Sequence, residues 1–203
     1  MKLKHFLSIF LLLVIFLIFN IFSYSNKVFA GLQDNIFRLH ILANSNSESD
    51  QALKLAVRDS IIEYMETINI SSTTKEETIN NVNNNLDNLK VVAENKIKEL
   101  GYDYPVTIEV GNFYFPTKYY GNISLPAGDY DALRIKIGEA QGQNWWCSLF
   151  PPLCFIDISS GYLEEDDQKI LEDNLTEEEF MLVSSSSPDV KLKFKILELL
   201  NSK

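Results

Sequence analysis

The chain is short of the residue types that do most protein chemistry. Its 203 residues include two histidines, two cysteines and two tryptophans. His5 lies in an N-terminal apolar run, which leaves His40 as the one histidine beyond it. One imidazole and two thiols are poor material for a zinc centre, which takes three or four such ligands. The pattern H-E-x-x-H, a phosphate-cradling P-loop and a G-x-S-x-G elbow are all absent. Metal catalysis and serine hydrolase chemistry are therefore not expected, and no cofactor is. Positive charge is scarce as well: 18 basic residues stand against 28 acidic, a net of −10. Lys2, Lys4 and Lys27 fall in the first 30 residues, so the remainder carries 15 against 28. Such a surface repels nucleic acid and anionic lipid. Neither is expected as a partner.

What is present begins with an export signal. Lys2 and Lys4 make a short basic start, and Phe6 to Phe22 is apolar apart from Ser8 and Asn20. Val28-Phe29-Ala30 has the small-residue form of a cleavage site. The apolar run is also just long enough to span a bilayer as an uncleaved anchor. Both readings carry residues 31–203 out of the cytoplasm, because the positive charges stay inside. Residues 1–30 are thus a signal peptide or membrane anchor, and 31–203 form one exported domain. Contact with a membrane is expected only through residues 1–30, if they are not cleaved.

The periodicity of that domain predicts an α+β fold. Ile36 to Leu42 alternates as a strand, with Phe37, Leu39 and Ile41 on one face and His40 on the exposed side. Ser47 and Asp50 have capping-box spacing, ahead of a helix to about Ile68. A polar linker, Asn69 to Thr74, leads to a second helix capped by Thr74 and ended by Gly101. Its narrow stripe (Ile79, Val82, Leu86, Leu89, Ala93, Ile97, Leu100) suits a helix laid on a sheet, or a coiled coil. Beyond Gly101 the period becomes two. Strands are expected over Val106 to Phe115, Tyr119 to Leu125 and Tyr130 to Ile137, as an antiparallel meander. The part after Ser159 is acidic and helical in pattern, without the glycine-centred ligand spacing of a calcium loop. Ser184 to Ser187 reads as a linker, and Val190 to Ile196 as a late strand with one basic face.

Every cysteine and tryptophan falls within Trp145-Trp146-Cys147-Ser148-Leu149-Phe150-Pro151-Pro152-Leu153-Cys154. Outside the cytoplasm the two cysteines are free to pair, which would stabilise by roughly 2–3 kcal/mol. They are equally readable as buried thiols. The adjacent tryptophans must point to opposite faces if the segment is a strand. They either fill the core or anchor a partner. A thiol-based enzyme is the one catalytic reading left. Cys147 or Cys154 would be the nucleophile, His40 the base, and Arg38 or Arg134 the oxyanion partner. Such a protein would be an exported hydrolase or transpeptidase. Asp129 and Asp131 flank Tyr130 beside a tight turn, where aspartate is common for conformational reasons.

Two stretches carry a resemblance. One is Phe37-Arg38-Leu39-His40-Ile41-Leu42-Ala43-Asn44-Ser45, through Ser49-Asp50-Gln51-Ala52-Leu53-Lys54, to Val57-Arg58-Asp59. The other runs from Leu125-Pro126-Ala127-Gly128-Asp129-Tyr130, through Leu133-Arg134, Gly138 and Gly142, to Asn144-Trp145-Trp146-Cys147, then Leu149-Phe150-Pro151-Pro152-Leu153-Cys154 and Asp157. Together they resemble the stage II sporulation protein R family of endospore formers. The resemblance implies a signal rather than an enzyme. Such a protein is exported from the forespore into the space between the two compartments. There it triggers a membrane-embedded aspartic protease of the mother-cell side, which processes a sigma factor precursor. The surface read by that partner is expected at Asn144 to Cys154 and the neighbouring turn. Its residues would include Trp145, Trp146, Phe150, Pro151, Pro152, Arg38, Arg134 and Asp129.

Overall fold

A computed structural model of the chain describes residues 2–69, 72–155 and 165–184. The chain opens on a helix, α1 (Lys2–Asn35), rather than a strand. This helix runs past Ala30 without a break. Its apolar residues from Phe6 to Phe22 are exposed apart from half-buried Val14, and it is long and apolar enough to cross a membrane. Its last turn belongs to the folded domain, where Leu32 and Ile36 just beyond are wholly buried.

Strand β1 (Phe37–Leu42) follows directly, then helix α2 (Glu48–Asn69). The Ser47 hydroxyl caps α2 by accepting from the Asp50 N–H at 3.1 Å. The Asp50 carboxylate turns to Asn44 and Ser45 instead of closing the box. The second helical region is two helices, α3 (Lys75–Asn84) and α4 (Leu86–Glu99), not one. Asn85 breaks it by serving both ends, and its side chain donates back to the Asn81 carbonyl. Asparagine competes for backbone hydrogen bonds in this way and favours helix ends over interiors. Thr74 caps α3 as expected, accepting from the Glu77 N–H at 3.2 Å. Gly101, at φ +84°, turns the chain out of α4.

Among the described residues, six strands form two sheets. The larger has the order β2 (Val106–Phe115), β5 (Gly128–Ile137), β1, β6 (Asn144–Phe150). β1 runs parallel to β5 and antiparallel to β6, so the first strand lies inside the sheet. The meander is not formed. β2 pairs directly with β5, and the expected middle strand becomes a separate hairpin, β3 (Lys118–Tyr120) with β4 (Ile123–Leu125). Pro116 and Pro126 flank that hairpin and cannot donate to a ladder, which favours leaving the sheet there.

The two faces of the sheet are covered differently. Helices α2 to α4 lie over Phe37, Leu39, Ile41, Leu133, Ile135 and Cys147. On the other face, the end of α1, the β3–β4 hairpin, α5 (Glu165–Asn174) and α6 (Glu177–Ser184) enclose a second core. That core holds Leu32, Ile36, Phe115, Tyr120, Tyr130 and Val183 among others. The late strand expected near Val190 and most of the Ser184 to Ser187 linker lie outside the described residues.

Candidate functional site

The site follows from the burial of β1 on both faces. Alternation puts Arg38 and His40 opposite Phe37, Leu39 and Ile41, and the second core closes over them. His40 is therefore not on an exposed side: it is 6% exposed and Arg38 0%. Strand pairing then builds a row across this face: Glu109 beside Arg134, Arg134 beside His40, His40 beside Trp146. The imidazole stacks on the Trp146 ring, with centroids 3.7 Å apart and planes 14° from parallel. Phe115 meets both rings edge-on.

Arg38 lies one row below. Its Nη2 donates to the Tyr120 hydroxyl at 2.9 Å, and its Nε to the Cys147 carbonyl at 3.4 Å. Its guanidinium sits 4.3 Å from the Phe115 centroid and 5.1 Å from that of Tyr130. Aromatic faces, a hydroxyl and a carbonyl hold this cation, while Nη1 has no hydrogen-bond partner among the described residues. Burial lowers its pKa, opposed by Tyr120. The same burial raises Tyr120 and pushes Tyr130 up to about 12, opposed in each by Arg38. Arg38 thus joins β1, β6 and the hairpin through neutral groups.

His40 is pushed down to about 4. Burial is the main cause, and Arg134, Arg38 and Lys136 add like-charge repulsion, against a weaker favourable influence of Asn144. Among the described residues, neither ring nitrogen has a hydrogen-bond partner of good geometry. At neutral pH the ring is an uncharged aromatic plate.

Above this row the face is partly open to solvent. Arg134 pairs with Glu109 through Nε at 2.9 Å and Nη2 at 2.7 Å, and stacks on Phe113 at 3.7 Å. Lys136 reaches the same Glu109 oxygen at 2.7 Å. Lys118, from the hairpin, stands 5.8 Å over the Trp146 ring. The other tryptophan points the opposite way: Trp145 packs beside the helix-covered core with Arg58 5.0 Å from its ring.

The expected site residues therefore divide. Arg38, Arg134 and Trp146 share one face, with Arg38 beneath it. Trp145 and Cys147 face the helices. Phe150 and Pro152 line an open groove of about 550 Å³ with Glu66, Asn69, Leu149 and Ile170, at the foot of β6. Pro151 follows a cis peptide bond there and is buried. Asp129 is exposed near the end of α1, where its carbonyl accepts from Gln33 at 2.9 Å. Cys147 and Cys154 are joined by a disulfide, with Cα atoms 5.4 Å apart. Sequence reading missed Tyr120, Phe115 and Lys118 as parts of this cluster. Only the folding-back of the hairpin brings them to β1 and β6, and no local pattern marks that.

The model of the family described as stage II sporulation protein R matches residues 33–160. The chain belongs to that family. It is 38% identical over 152 residues to stage II sporulation protein R of Bacillus subtilis (strain 168), covering 70% of this chain and 68% of that protein. No solved structure matches. The family segment takes in the whole four-stranded sheet, the hairpin and the disulfide. Most of α1, and all of α5 and α6, lie outside it.

Proposed function

We propose that this chain is an exported signalling protein of endospore formation. It activates a membrane-embedded aspartic protease of the mother-cell side, and so leads to processing of a sigma factor precursor. Family membership across the entire sheet carries this reading. The long apolar α1 fits a signal peptide or anchor for export into the intermembrane space. The enzyme reading has less support. A thiol nucleophile needs a free cysteine within reach of the imidazole. Cys147 is bonded to Cys154 and pairs with Leu39 on the helix-covered face, whereas His40 projects to the other face.

The partner's docking surface is proposed at the open half of the second face, around Trp146, Arg134 and Lys118. A large aromatic held rigid by a stack loses little freedom on binding. Arg38 would contribute from beneath, by fixing the strands that carry Trp146. The test is co-expression with the candidate protease and its precursor in a host lacking both. Wild type should give precursor cleavage, and Trp146→Ala and Arg134→Ala should reduce it while remaining folded. No cleavage with well-exported wild type would refute the activation reading. Full cleavage by both folded variants would refute this surface.

A further inference from the structure

The carboxylate of Glu179 is buried, at 4% exposure, where α6 meets the end of α1. Its partners among the described residues are neutral. Asn35 Nδ2 donates to both oxygens at 3.2 and 3.0 Å, and the Thr176 N–H donates to Oε2 at 3.0 Å. Thr176 and Glu179 thereby form a capping box for α6. The box explains the position of the carboxylate but not its burial as a charge without a cation, which is costly.

Gly31 lies directly against this carboxylate. A methyl group added there would come 2.5 Å from Glu179 Oε1, so glycine alone fits without displacing it. Gly31 is also the residue that would become the N-terminus if the chain were cut after Val28-Phe29-Ala30. Cleavage would turn its amide nitrogen, which shares a Cα with the side-chain position that Glu179 Oε1 crowds, into an ammonium group. We propose that Glu179 is the receptor for this new ammonium, a latch completed by signal cleavage. Hydrolysis of the Ala30–Gly31 peptide by water gives a carboxylate on the released signal and an amine on Gly31, which is protonated at neutral pH. The buried carboxylate then has the cation that the uncut helix cannot supply. The residues Leu32 and Ile36 remain seated in the second core and hold the new terminus in place. A cation that gains such a partner has a raised pKa, so the stabilisation is full at neutral pH and is lost as pH rises through that pKa.

The test exports the full chain through a host signal peptidase and compares the cut product with an uncut form made by Ala30→Leu. N-terminal sequencing should read Gly31. Glu179→Gln should lower the folding equilibrium constant of the cut form by about tenfold or more, and that of the uncut form by clearly less. A second variant leaves Glu179 intact and inserts one serine between Ala30 and Gly31, which moves the ammonium away. The cut product of this variant should lose as much as Glu179→Gln. Cleavage at another bond would overturn the proposal. So would equal losses in cut and uncut forms, or full stability of the serine-extended product.

Discussion

Replacing His40 with phenylalanine should remove a pH-dependent weakness while keeping the ring stack. The imidazole is displaced from 6.5 to about 4, mainly by burial. At about 1.4 kcal/mol per pH unit this amounts to about 3 kcal/mol, or roughly 2 kcal/mol once solvent near the Trp146 edge is allowed for. The folded pKa is the lower one, so the unfolded chain takes up the proton first. The stabilisation is complete above pH 6.5, falls as pH drops, and levels off below about 4. Urea unfolding of the full-length protein in detergent, followed between pH 7.5 and 3.5, measures it. Wild type should lose about 2 kcal/mol more than His40→Phe across that window. Trp146 supplies a second readout, because an imidazolium stacked 3.7 Å from the indole should quench its emission with a midpoint near 4. Identical slopes for the two proteins, or a quenching midpoint near 6.5, would refute the reasoning.

Three further outcomes follow from other contacts. Lys75→Met should destabilise by about 1–3 kcal/mol, because Lys75 Nζ bonds the Asp34 carbonyl and Asp131, both at 2.8 Å. Hydrogen exchange should quicken at Leu32 to Asn35, and unchanged exchange there would count against it. Reducing the Cys147–Cys154 disulfide, or Cys154→Ser, should cost about 2–3 kcal/mol for so short a loop, read as a lower urea midpoint. Trp146→Ala should cost about 2–4 kcal/mol and exceed Trp145→Ala in its effect on precursor cleavage. The reverse order in cleavage would place the partner on the helix side.

Much of this architecture was legible in the sequence because its local signals are strong. The Thr74 cap, the Gly101 turn and the apolar alternation of β1, β2 and β5 each follow from residues close together in the chain. The meander was misread because hairpin logic favours neighbours, whereas Pro116 and Pro126 expel the middle strands from the sheet. The single second helix was misread because its apolar stripe continues through Asn85, whose side chain nonetheless ends one helix and begins another. The concentration of tryptophan and cysteine from Trp145 to Cys154 was visible from composition alone, but only Trp146 of that segment stacks on His40. The burial of Arg38 and His40 was not visible, since it requires a second layer supplied by α1, the hairpin, α5 and α6. A polar residue between apolar ones looks solvent-facing until both faces of its strand are known to be covered.

The place of β1 inside the sheet has a consequence for the order in which the chain can fold. Its contacts are with partners far along the chain: Arg38 meets Tyr120 across 82 residues and Cys147 across 109. Such non-local pairing makes folding slow, since distant segments must be brought together first. If the chain is exported behind α1, as proposed, its central strand crosses before β5 and β6 and cannot complete the sheet until they have emerged. Under that proposal, late closure of this kind would keep the polypeptide unfolded during passage and confine completion of the sheet to the far side.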